Sequence, residues 1–182
     1  MASLQTERLL LRDWRDADQA PFARMNSDHR VMEFMPAILS RAESDQLLRR
    51  IAAHLEAHGF GLFAVELKRD HTFAGYVGLA VPSFQAHFTA GVEIGWRLAA
   101  EYWGQGLATE GARRVVRFAF QELKLSELVS FTVPGNLRSR RVMEKVGMTR
   151  NPADDFDHPR LPEGHPLRRH VLYRLRRAAQ PA

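Results

Sequence analysis

Residues 103 to 110 read Trp-Gly-Gln-Gly-Leu-Ala-Thr-Glu, two glycines one residue apart followed at once by a helical pattern. The run places many backbone amides and little side-chain bulk where a helix starts. Gly104 and Gly106 allow φ values that larger residues resist, and the amides of a helix's first turn have no intrahelical partner. With the positive end of the helix dipole they form an anion site. Ala108, Ala112, Val115, Ala119 and Leu123 then recur at helical spacing, while Glu110, Arg113, Arg114, Arg117 and Gln121 point elsewhere. Just upstream, Val92, Ile94, Trp96 and Leu98 alternate with Glu93, Gly95 and Arg97, as in a half-buried strand. Strand, glycine loop and helix follow in order, the signature of an α/β chain.

Two familiar phosphate loops are excluded. A P-loop needs Lys-Ser or Lys-Thr after its last glycine, whereas Leu107 and Ala108 follow Gly106. The dinucleotide fingerprint needs three glycines, and Thr109 stands in the third place.

With 182 residues and 45% hydrophobic content, residues 1–182 fit one domain able to bury a core without staples. The start lacks the apolar run of a secretory signal, and no segment approaches the roughly 18 apolar residues of a membrane span, so a cytoplasmic protein with no membrane partner is expected. The absence of cysteine removes disulfides, thiolate metal sites and an acyl-cysteine intermediate together. The net charge of +5 comes mainly from arginine, and no run of basic and aromatic residues marks a nucleic-acid groove. Arg168, Arg169, Arg174, Arg176 and Arg177 read as a solvated strand end and tail.

Residues 7–14 read as a first strand, with Asp16 or Asp18 capping a short helix toward Met25. Ser40 and Glu43 have capping-box spacing, Leu47, Leu48, Ile51 and Leu55 form a stripe, and Gly59 is a stop, predicting a helix over 41–58. Strands at 60–68 and 73–81, joined by a turn at 69–72, lead into the strand holding Glu93 as an antiparallel meander. After the glycine-loop helix come a strand at 128–133, a helix at 136–146 closed by Gly147, and a last strand at 170–175. Between the last two, 151–166 is rich in Pro, Asp and His and reads as a long loop over a substrate pocket.

Four stretches together resemble the GCN5-related N-acetyltransferase (GNAT) superfamily, in its branch of ribosomal-protein N-terminal acetyltransferase-like enzymes. They are Thr6-Glu7-Arg8-Leu9-Leu10-Leu11-Arg12, Glu93-Ile94-Gly95-Trp96, the run from Tyr102 to Glu110, and the run from Asn136 to Met148. The resemblance implies one mixed, mostly antiparallel sheet of about six to seven strands flanked by about four helices. It implies acetyl-CoA as co-substrate without a metal, and as acceptor a primary amine on a small molecule or a protein N-terminus; it leaves a homodimer open. It places the pantetheine arm along the backbone of Trp96, Arg97 and Leu98, and the pyrophosphate on the amides of Gly104, Gln105, Gly106, Leu107, Ala108 and Thr109. Gly95 suits a bulge or splay that frees strand amides for the arm. Asn136 has two readings, a helix cap and a partner of the cofactor arm.

A thioester is already activated for acyl transfer, so few side chains are obligatory. Relatives often carry a tyrosine seven residues after this asparagine as general acid, and here Met143 stands there. Ser139, one turn earlier on the same helix face, is the substitute, unless water or no acid serves. Glu93 reads either as a base acting on the amine through water or as half of a salt bridge. The missing tyrosine supports a second class, an acyl-CoA-binding sensor or scaffold without turnover. His158, His165 and His170 with Asp154, Asp155 and Asp157 have no regular metal spacing; Asp157 and His158 suit substrate contact, and Trp14, Phe34 and Met35 line either the acceptor pocket or the core.

Overall fold

Alternating strands and amphipathic helices assemble, in a computed structural model that describes residues 3–89 and 91–177, into one sheet with helices on both faces. In chain order the elements are β1 (Leu4–Gln5), β2 (Leu9–Arg12), α1 (Gln19–Asn26), α2 (His29–Met32), α3 (Arg41–His58), β3 (Leu62–Leu67), β4 (Phe73–Ala80) and β5 (Val92–Leu98). Then follow α4 (Leu107–Arg117), β6 (Glu127–Thr132), α5 (Leu137–Lys145), β7 (Thr149–Arg150), β8 (Phe156–Asp157) and β9 (Arg169–Arg176). The sheet runs β1-β2-β3-β4-β5-β6-β9-β7, with β8 also on β9, and every pairing is antiparallel except β5 with β6. The six longer strands and the four helices α1, α3, α4 and α5 are those expected; β1, β7 and β8, two residues each, and the four-residue α2 are additions.

Local signals explain the helices. Ser40 and Glu43 exchange the reciprocal bonds of a capping box at the start of α3, and Gly59 ends it at φ 70° with its amide on the Leu55 carbonyl. Gly111 lets α4 approach the sheet, since a Cβ there would stand 3.3 Å from Val77 and 3.5 Å from Leu9. Beyond Arg117 the helix winds on as a π-helical turn over Phe118–Glu122.

The two sheet faces bury different layers. On one, Leu9, Leu11, Val65, Val77, Leu79 and Ile94 meet Leu107, Ala112 and Val115 of α4 and Met143 of α5. Each Leu or Ile buried there stabilises the fold by roughly 1.5–3 kcal/mol. On the other, Ala64 and Phe73 meet Phe22 and Met25 of α1 and Leu48 and Ile51 of α3. Register puts Arg12, Glu66, Tyr76, Glu93 and Arg97 on this second face.

Three local expectations change. Asp18 makes no side-chain cap to α1; 2% exposed, it accepts the Arg15 amide at 2.8 Å in the preceding turn and grips the Arg12 guanidinium through both oxygens at 2.7 and 2.9 Å. The β4–β5 ladder is regular at Gly95, so no bulge lies there and the irregularity is instead where Val65 faces Gly75 but Glu66 faces Phe73; the other half of that expectation, a splay, falls where β5 leaves β6 beyond Glu93. The segment read as a loop over 151–166 contributes β8 and buries Phe156.

Candidate active site

The one parallel pairing is also the shortest among the long strands. β5 and β6 match only at Val92 with Leu128 and Glu93 with Val129, although β5 runs on to Leu98 and β6 to Thr132. Beyond Glu93 the strands part and leave a crevice. The Ala99 amide donates to the Ala74 carbonyl at 2.9 Å, so strand alternation turns the amides of Trp96 and Leu98 away from β4 and into the crevice.

The crevice leads to the glycine loop. Gly104 and Gly106 hold φ of 74° and 79°, the left-handed region, and Gly106 is the residue immediately before α4. No amide from Gly104 to Thr109 donates to an acceptor among the described residues, so these N–H groups are available together at a helix start. Arg8 clamps the loop, donating to the Gln105 carbonyl at 3.0 Å and to Glu110 at 2.7 Å. Burial alone would raise the Glu110 pKa, but the Thr6 hydroxyl and the Arg8 amide and guanidinium hold it below the usual carboxylate range. The stretch from Thr6 to Arg8 is therefore a brace for the glycine loop. Gln105 turns its side chain to the Glu101 carbonyl, and Leu107 and Ala108 pack theirs on the core, so all three offer backbone only.

Glu93 lies at the apex where the strands part. Its carboxylate has no hydrogen-bond or ion-pair partner among the described residues, and burial pushes its pKa up to about 8. The salt-bridge alternative is not what the structure shows.

On the far wall, Asn136 accepts the Ser139 amide at 3.2 Å as the N-cap of α5 and donates to the Thr132 hydroxyl at 3.0 Å. The cap reading holds, and one amide proton of Asn136 remains. Ser139 is half-buried and its hydroxyl has no partner among the described residues. Met143 is 1% exposed, part of the main core rather than of the crevice surface.

The GNAT acetyltransferase domain pattern matches residues 8–149, which contain Arg8, the crevice, the glycine loop and all of α5. The chain belongs to the GNAT acetyltransferase family. Its relatives include YkkB of Bacillus subtilis, an uncharacterized protein 32% identical over 146 residues that covers 80% of this chain and 84% of its own. A GNAT-family acetyltransferase from Bacillus anthracis superposes with a TM-score of 0.79 at 26% identity, covering 96% of this chain and 98% of that one. RimJ of Mycobacterium smegmatis, solved with CoA-disulfide, shares the fold at a TM-score of 0.76 and 20% identity, covering 96% and 86%.

Several features of this N-acetyltransferase escape sequence reasoning. Arg138 stacks on Trp103 at 4.4 Å and pairs with Glu33 at 2.6 Å, joining α5 to the glycine loop and to the segment after α2. Trp14 belongs to the core, with its indole nitrogen on the Leu62 carbonyl, whereas the Met35 sulfur accepts from Arg97. His158 and His170 stand 5.2 Å apart against Phe131 and Phe156, and burial lowers both pKa values. Asp157 pairs with Arg169, and Arg174 with Glu127 and Asp154, so the C-terminal arginines are largely ion-paired rather than simply solvated. A hollow of about 520 Å³ near Arg12, Asp18 and Tyr102 contains neither Glu93 nor the glycine loop, and its Arg12 is already neutralised by Asp18 and Glu66.

Proposed function

We propose that the acetyltransferase moves the acetyl group of acetyl-CoA to a primary amine by direct attack in a ternary complex. One observation carries the reading: crevice amides from the parted β5 lead straight into the unpartnered amides of Gly104 to Thr109. A thioester arm fits the first and a pyrophosphate the second, with Trp96, Arg97 and Leu98 supplying the strand backbone. The amine nitrogen attacks the thioester carbon, the C–S bond breaks, and the thiolate leaves with coenzyme A. Glu93, once ionised, takes the ammonium proton directly or through water, and the Ser139 hydroxyl faces the leaving sulfur. With no cysteine in the chain, no acyl-cysteine intermediate forms.

The test is thiol release from acetyl-CoA with a panel of amines, with mass detection of the acetylated product. Product with at least one amine is the expected result. Tight acetyl-CoA binding without product from any amine would instead identify the sensor or scaffold suggested by the missing tyrosine. For the acid, kcat and acetyl-CoA Kd are measured on Ser139→Ala. A fall in kcat at unchanged Kd supports the role, and an unchanged kcat removes it.

A further inference from the structure

Arg97 enters the expected cofactor contact through its backbone, and its side chain has a separate position. It leaves β5 on the face shared with Glu93, away from the α4 layer, and lies half-buried between Asn26, Met35 and Tyr76. Its contacts are all neutral: 2.8 Å to the Asn26 carbonyl oxygen, 3.1 Å to the Met35 sulfur, and 5.5 Å from the guanidinium carbon to the Tyr76 ring centre. No carboxylate pairs with it among the described residues. Nε–H and one N–H on each terminal nitrogen have no protein acceptor, which suffices for a two-pronged contact with a carboxylate.

The guanidinium is held in advance. Asn26, 0% exposed, donates its amide to the hydroxyl of Ser44, itself 0% exposed, at 2.9 Å, which fixes the carbonyl that receives Arg97. Between Arg97 and Glu93 this face of the strand carries only Gly95, where a Cβ would meet nothing within 4 Å except Glu93 Oε1 at 3.7 Å. A side-chain-free floor thus joins an unpaired carboxyl group to an unpaired cation. Four residues of strand separate their Cα atoms by about 13 Å, and the lean of Glu93 over Gly95 shortens the gap between functional groups.

We propose that the acceptor is a small primary amine that also carries a carboxylate, an amino acid in the broad sense, with Arg97 binding the carboxylate while the amine lies beside Glu93. The inference rests on the transfer reading above and names its substrate class. A free amino acid suits the site better than a protein N-terminus, because the anion has to reach a half-buried guanidinium held among Asn26, Met35 and Tyr76. Arg97 is here a specificity-determining residue, not a catalytic one.

The experiment compares 4-aminobutyrate and 6-aminohexanoate with butylamine and hexylamine on the full chain, by kcat/KM and by calorimetric Kd in the presence of coenzyme A. Expected is a preference for the acids of about 10- to 100-fold, the worth of a hydrogen bond to a charged group. Arg97→Met should erase it by weakening the acids far more than the neutral amines, and Arg97→Lys, a point charge without the fork, should keep part of it. Equal use of acid and neutral amine by the wild type, or an equal loss for both in Arg97→Met, would overturn the proposal. So would a peptide with Asp behind its N-terminus outperforming both free acids. If no amine is acetylated the transfer reading fails, and calorimetry still decides this one: tighter binding of the acids than the amines upholds it, and no difference ends it.

Discussion

The second sheet face carries two sets of shielded charges that are treated in opposite ways. At the β2–β3 end, Arg12 lies between Asp18 and Glu66 with bonds of 2.6 to 2.9 Å, and all three side chains are at most 7% exposed. Bonding to Asp18 foremost, and then to Glu66, raises the Arg12 pKa against the opposing effect of burial. Burial would likewise raise Glu66, yet His71 and Arg12 hold it below the ordinary range. At the β5 end, Glu93 and Arg97 share the same face and neither has an opposite charge within reach. A fold gains nothing from an uncompensated charge, so the first set reads as architecture and the second as a place prepared for something else.

The most damaging way to break the comparison is Arg12→Met. It leaves Asp18 buried without its cation and Glu66 with only the more exposed Arg15 and His71, and should cost about 3–5 kcal/mol in denaturant unfolding at pH 7. A loss below about 1 kcal/mol would mean that the network is as dispensable to the fold as the crevice charges.

Next in size is Glu93→Gln, expected to lower kcat/KM by about 10²- to 10³-fold near pH 8 while acetyl-CoA affinity stays put. Because the carboxyl must ionise before it accepts a proton, wild-type kcat/KM should rise with pH through about 8, and the variant should lack that limb. A wild-type profile flat from pH 6 to 10 would remove the base.

The same substitution sharpens the contrast in stability. Glu93 has a folded pKa of about 8, above its unfolded value of 4.5, so it does not penalise folding in acid and does so increasingly as pH rises from 4.5 to 8. Glu93→Gln should therefore match wild type in Tm near pH 4 and exceed it near pH 8. Identical Tm differences at both pH values would show that the carboxyl is not held neutral.

The smallest effect is Asn136→Ala, about 1 kcal/mol through loss of the α5 cap. A weaker acetyl-CoA Kd beyond what that destabilisation explains would support the second reading of Asn136, as a partner of the arm.

What the residues disclosed in advance was local. Ser40, Glu43 and Gly59 bound α3 at 41–58 because capping bonds span only a few residues, and the β5–loop–α4 unit was legible because alternation, glycines and helical period adjoin. Pairings across the chain were not. Arg97 meets Asn26 and Met35 over separations of 71 and 62 residues, and its side chain faces away from the cofactor role given to its backbone. Arg12 and Glu66 sit 54 apart, and no periodicity announces such a meeting. Met143 shares a helix face with Ser139, but how deep that face sinks depends on the α4 packing, which put one in the core and the other at its edge. β8 is two residues long and owes its existence to β9, so a composition rich in Pro and Asp gave it no signature.

The parted β5 and β6 also write an isotopic pattern into a single strand. Gly95 and Arg97 lie opposite Gly78 and Tyr76, with their amides turned to β4, whereas the amides of Trp96 and Leu98 between and after them face the gap. In deuterium oxide the strand should exchange in alternation, one amide slow and the next fast, although all four belong to one uninterrupted stretch of backbone. A ligand that fills the gap would slow only every second amide.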